Sequence, residues 1–100
     1  MIGSPEKSKK LKNLKYKISV NKMNDWKELN KYLIKSFSFK KYLDGIAFVD
    51  KVAMISEEKN HHPEMEILWC KVIIKLTSHD AGKITERDSK LAHEIDKLFN

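Results

Sequence analysis

The chain is short of several things that would have narrowed its function at once. It carries a single cysteine, Cys70, in 100 residues, so no intrachain disulfide can form and the stapled framework of a small secreted domain is excluded. No apolar run approaches the roughly 20 residues that a bilayer span requires, and the N-terminus lacks the apolar stretch and cleavage site of a secretory signal. A soluble cytoplasmic protein is the expectation, with the nucleus as a second compartment and no membrane partner. Arginine is almost missing too: Arg87 is the sole arginine among 20 basic residues, and sequence-specific base readout leans on arginine. The lysines run from Lys7 to Lys97 without massing on one segment. The net charge of +6 therefore reads as solvation and coding bias, and nucleic acid is not an expected partner.

The apolar content, 41% of the residues, suffices for a modest core in one domain spanning residues 1–100, without metal or disulfide support. There are no repeats and no low-complexity linkers. Residues 1–10 are expected to be poorly ordered, although Ser4-Pro5-Glu6 could cap a short helix carrying Leu11 and Leu14. Leu14, Tyr16, Ile18 and Val20 alternate as one face of a strand, and Asn21 to Asp25 reads as a turn. Trp26 to Phe39 begins with helical spacing and ends in period two, which predicts a strand over about Tyr32–Phe39. Tyr42, Ile46, Val49, Ala53 and Ser56 then recur at steps of four and three, the buried stripe of a long helix. Leu43, Ala47 and Met54 widen that stripe enough to cover a sheet and a second subunit.

After Pro63 the branched and aromatic residues predict two strands meeting near Cys70–Lys71, or one long strand with a bend, with Val72, Ile74 and Leu76 on one face. Thr85-Glu86-Arg87-Asp88 resembles a capping box with Asp in place of Glu, and it opens a helix striped by Leu91, Ala92, Ile95, Leu98 and Phe99. The order is helix, two strands, helix, two strands, helix. It describes an α+β fold in which a four-stranded antiparallel sheet carries three helices on one face.

Two of the four histidines, His61 and His62, are adjacent, and Pro63 holds the pair in an extended direction. His61 and His79 lie nine residues either side of Cys70, so a hairpin there would bring the third histidine back towards the first two. Imidazoles exchange protons near neutral pH, and such a cluster fits acid–base or ligand-binding chemistry. A metal site and incidental surface histidines remain as alternatives; zinc would need a fourth ligand and tighter spacing, and Cys70 would have to move into the group. His93 reads as plain surface, Cys70 as a small apolar filler, and Trp69 as core or cavity wall. Glu57 is either solvated helix surface or a carboxylate that orients a histidine or meets the substrate. Asp88 either complements the helix dipole or aims at His62.

Glu57, His61, His62, Pro63, Trp69, His79 and Asp88, separated by three, no, no, five, nine and eight residues, resemble the signature of the pterin-4a-carbinolamine dehydratases. Phe37-Ser38-Phe39-Lys40-Lys41-Tyr42, Gly45 to Phe48 and Thr85 to Asp88 add to the resemblance, which runs without a gap from about Phe37 to Asp96. It implies a cofactor-free, metal-free lyase that removes water from 4a-hydroxytetrahydropterin to give quinonoid dihydropterin. It also implies His61 and His79 as the acid–base pair, His62 as a residue positioning the ring, and Glu57, Pro63, Trp69 and Asp88 as substrate-binding residues. Homodimers or homotetramers are implied as well, and the alternative function is a dimerisation or coactivator-type module working through the long helix.

Overall fold

The computed structural model describes residues 25–99. Strands β1 (Lys27–Leu29) and β2 (Tyr32–Ser38) form a hairpin, helix α1 (Tyr42–Lys59) follows, strands β3 (Glu64–Leu68) and β4 (Lys71–Leu76) form a second hairpin, and helix α2 (Glu86–Phe99) ends the fold. The sheet is antiparallel throughout, in the order β1-β2-β4-β3. It is an α+β fold, and two helices, not three, are present among the described residues. The expected first helix near Leu11 and the strand over Leu14–Val20 lie outside the described residues. The fourth strand comes instead from Lys27–Leu29, where helical spacing misled the sequence reading. Asn30 and Lys31 both take positive φ, 53° and 69°, the two-residue turn whose twist suits a hairpin.

Period two sorts the sheet into a covered and an open side. Lys35 pairs with Ile74 and Phe37 with Val72, while Ile74 and Val72 pair in turn with Met65 and Ile67; these residues share the side on which the helices lie. Val72, Ile74 and Leu76 are all buried, as their alternation predicted. Each such side chain contributes about 1.5–3 kcal/mol through removal from water. Helix α2 adds Leu91, Ala92 and Ile95, and Phe37, Phe39, Phe48 and Phe99 meet with ring centroids 4.9–5.8 Å apart. Lys35 also faces inward, and its Nζ donates to Asp96 at 2.8 Å, a carboxylate that accepts from Trp26 Nε1 as well.

The buried stripe of α1 differs from the expected one. It runs through Gly45, Phe48, Val52 and Ser56, whereas Tyr42 and Ala53 are exposed. Gly45 explains the rotation, because a Cβ there would sit 3.3 Å from the Phe39 ring and 3.5 Å from Val72. The helix turns its smallest residue to the sheet and comes close, leaving Leu43, Ala47 and Met54 in solvent. Trp69 is corrected too. It forms the β3–β4 turn and is 80% exposed, so it belongs to no core.

Candidate active site

The carboxyl end of α1 fixes His61. Asn60 closes the helix in the left-handed conformation, φ 53°, its own N–H bonding to the Glu57 carbonyl and that of His61 to the Ser56 carbonyl at 3.0 Å. These two bonds are those of a Schellman closure, for which asparagine is a tolerated substitute for glycine. The backbone of His61 is thus set by the helix, and Pro63 carries the chain into β3. Continuing the β3–β4 register three steps past the Glu64–Lys75 pair sets His61 against Ser78, the residue before His79.

Asp88 joins these segments. Its Oδ1 is 2.6 Å from His61 Nε2, and its Oδ2 accepts from the Ser78 hydroxyl at 2.7 Å and from the Thr85 backbone N–H at 2.9 Å. The last bond is the side-chain half of a capping box; the Thr85 hydroxyl caps the helix by accepting from the Arg87 backbone N–H at 3.3 Å, while the Asp88 N–H bonds the Thr85 carbonyl. Because the single Ser78 proton goes to Asp88, the Thr85 hydroxyl must donate to Ser78 Oγ, 2.7 Å away. Asp88 is fully buried. Burial alone would push its carboxyl up, but the bonds from His61, the Thr85 backbone and Ser78, with the nearby His61 charge, outweigh it and hold the carboxyl below its ordinary value. An ionised carboxylate only accepts, so His61 Nε2 carries a hydrogen.

The other two histidines also have carboxylates. His62 Nε2 lies 2.5 Å from Glu57 Oε2, an exposed pair at the end of α1. His79 Nε2 lies 3.9 Å from Glu64 Oε2, too far for a hydrogen bond, and its ring meets Tyr32 edge-on at 6.4 Å. Tyr32 donates to the same Glu64 oxygen at 2.9 Å; that bond, a little burial and the carboxylate charge raise its phenol above the ordinary value. Glu64, Lys75 and Tyr32 lie on the open side of the sheet by register. His61 and Asp88 lie on the helix side of the same sheet end. No hydrogen bond or ring contact joins two of the three imidazoles among the described residues.

The structure thus pairs Asp88 with His61, where the sequence aimed it at His62, and Glu57 with His62. Trp69 lies at the opposite end of β3, about 16 Å from Glu64 at 3.3 Å per residue. His93 is half-buried and lines a cleft of about 460 Å³ together with His61. Glu64, Ser78 and Tyr32 were missed. Glu64 beside Pro63 and Ser78 beside His79 were visible as neighbours, but a role for them required the strand register. Among the described residues no group of His, Cys, Asp and Glu could hold a metal ion.

A small antiparallel α+β domain with histidine–carboxylate pairs gathered at one end of its sheet is the class that fold and site define. The sequence profile of the family described as "Pterin 4 alpha carbinolamine dehydratase" matches residues 9–98, and the chain belongs to that family. It is 39% identical over 89 residues, 89% of this chain and 93% of the relative, to a protein of Prochlorococcus marinus (strain MIT 9515). It is 40% identical over 91 residues, 91% and 98% of the two chains, to one of Sulfurisphaera tokodaii. Both relatives carry the name pterin-4-alpha-carbinolamine dehydratase provisionally. Among solved structures, the transcriptional coactivator/pterin dehydratase of Brucella melitensis superposes with a TM-score of 0.76 at 22% identity, over 92% of this chain and all of that one, and so shares the fold. A pterin dehydratase-like protein described as a RuBisCO assembly factor in the alpha-carboxysome gives 0.67 at 30% identity, over 76% and 90%. No helix among the described residues is long and apolar enough to cross a membrane.

Proposed function

We propose that the chain is a 4a-hydroxytetrahydropterin dehydratase that works by histidine acid–base chemistry alone. The observation that carries this reading is that His61 and His62 are each hydrogen-bonded to a carboxylate, Asp88 and Glu57, at the end of the sheet where His79 also stands, 3.9 Å from Glu64. A carboxylate beside an imidazole orients the ring and stabilises its protonated form, as a general acid or base needs. The dehydration asks for two proton movements. The C4a–O bond breaks as an acid protonates the departing hydroxyl, the N5 proton passes to a base, and the N5 lone pair becomes the new C4a=N5 bond, giving quinonoid dihydropterin and water. His61 and His79 serve as that pair, approaching a flat ring from the two sides of the sheet end. His62 positions the ring, Glu57 and Asp88 hold their histidines, and Pro63 fixes the direction of the segment.

Purified protein should accelerate loss of the 4a-carbinolamine, and His61→Ala and His79→Ala should each lower kcat at least tenfold in a folded chain, since one positioned acid or base supplies about 10²–10⁴-fold. Turnover by the wild-type protein no faster than in buffer would refute the reading. A second reading, a protein-interaction module on the same fold, draws on the exposed face of α1, where Leu43 is 71% and Met54 67% in solvent. The same face suits a homo-oligomer. Sedimentation of wild-type and Leu43→Glu/Met54→Glu protein tests it: an assembly that persists unchanged in the variant removes α1 from the contact.

A further inference from the structure

The cleft beside His61 is not needed to move either proton, and its chemistry concerns a different part of a ligand. Its floor is the buried Leu91 of α2, and its walls carry Lys59 from the end of α1 and Arg87 and Lys90 from α2, against the single carboxylate of Glu94. That carboxylate already pairs with Lys97 at 3.2 Å. Arg87 and Lys90 have carboxylates of their own, Asp80 at 2.7 Å and Glu86 at 3.8 Å, but these pairs are solvent-exposed and therefore weak and exchangeable. Lys59 has no ion-pair partner among the described residues. His61 is the side chain that the cleft shares with the proposed catalytic set.

We propose that this cleft is a subsite for an anionic side chain, a phosphate or a carboxylate, on the pterin whose ring is seated against His61. The inference rests on the dehydratase reading and adds to it the class of substrate. An apolar floor accepts the carbon linker leaving the ring, and three cations facing one engaged carboxylate leave a positive rim. Phosphate suits that rim better than carboxylate, because it offers more oxygens and more charge to the guanidinium and ammonium groups. A neutral side chain would leave the rim hydrated and gain nothing from it.

Calorimetric titration of three stable ring analogues tests the proposal: 6-hydroxymethyl-7,8-dihydropterin, its phosphate ester, and 6-carboxy-7,8-dihydropterin. The phosphate ester should bind the wild-type protein about tenfold more tightly than the neutral alcohol, with the carboxylate between them. The preference should shrink to less than threefold in Lys59→Ala/Lys90→Ala protein and in 0.5 M salt, because exposed cations act through screened attraction. Inorganic phosphate should compete with the ester at millimolar concentration. Equal affinity for all three ligands, or a preference that survives the double substitution, overturns the subsite while leaving the dehydratase reading intact. Failure of all three to bind overturns both.

Discussion

Replacing Asp88 by asparagine alters one atom, and the surroundings dictate how the new amide must lie. The Oδ2 position receives two donors, the Ser78 hydroxyl and the Thr85 N–H, so the amide oxygen has to occupy it. An NH₂ there would face the Thr85 N–H and orphan a part-buried donor, a penalty of about 1–3 kcal/mol. The NH₂ group is thereby turned to His61 Nε2, where the wild type presents an acceptor at 2.6 Å. Two donors cannot share that contact, so the His61 hydrogen moves to Nδ1 and Nε2 becomes the acceptor. Three bonds to an ionised carboxylate become neutral ones, each weaker by about 1 kcal/mol, for a total loss of about 2–3 kcal/mol. Long-range proton–nitrogen correlation on the imidazoles reads the tautomer, and urea unfolding reads the stability. His61 is expected to carry hydrogen on Nε2 in the wild type and on Nδ1 in the variant, with kcat lowered at least tenfold. A variant that keeps Nε2–H with native stability would refute the account of Asp88.

Other expectations can be checked separately. The folded Asp88 carboxyl lies below its unfolded value, so below about pH 4 the unfolded chain takes up the proton first and stability falls with pH; the wild type should show this acid loss in urea titrations, and Asp88→Asn should lack Asp88's share of it. Gly45→Leu should destabilise by about 1–3 kcal/mol through overpacking against Phe39 and Val72, measured by thermal unfolding; a neutral result would show that α1 can retreat from the sheet. Lys31→Gly relieves a positive φ of 69° and should stabilise by about 0.5–1 kcal/mol in the same assay. Trp26→Phe removes the Nε1 donor from the buried Asp96 carboxylate and should cost about 1–3 kcal/mol. A loss indistinguishable from zero would mean that Asp96 does not use that bond.

Where local chemistry decides the structure, the sequence was readable. The alternation Val72, Ile74, Leu76 and the bond from the Thr85 N–H to Asp88 depend on neighbours within a few residues and stand as read, and the break between the strands, expected near Cys70–Lys71, falls one residue earlier at Trp69–Cys70. The hairpin at Asn30–Lys31 was hidden because lysine sits where glycine would announce the turn. The face of α1 was misassigned by one position because the apolar residues on that helix outnumber those it buries, and only the approach at Gly45 selects among them. At the site, Glu57 and Asp88 could be named as histidine partners, but which histidine each meets depends on the closure at Asn60 and on the strand register. Glu64 and Tyr32 are separated by 32 residues and meet across an intervening strand, a relation with no local signature.

One carboxylate both starts the C-terminal helix and holds the imidazole that does the proposed chemistry. Fraying of the first turn of α2 would therefore release His61 in the same motion, and no population could keep a competent His61 with that turn melted. Amide hydrogen exchange at Thr85 should accordingly report, residue for residue, on the fraction of molecules able to turn over, which makes catalytic loss an early sensor of local opening long before the sheet gives way.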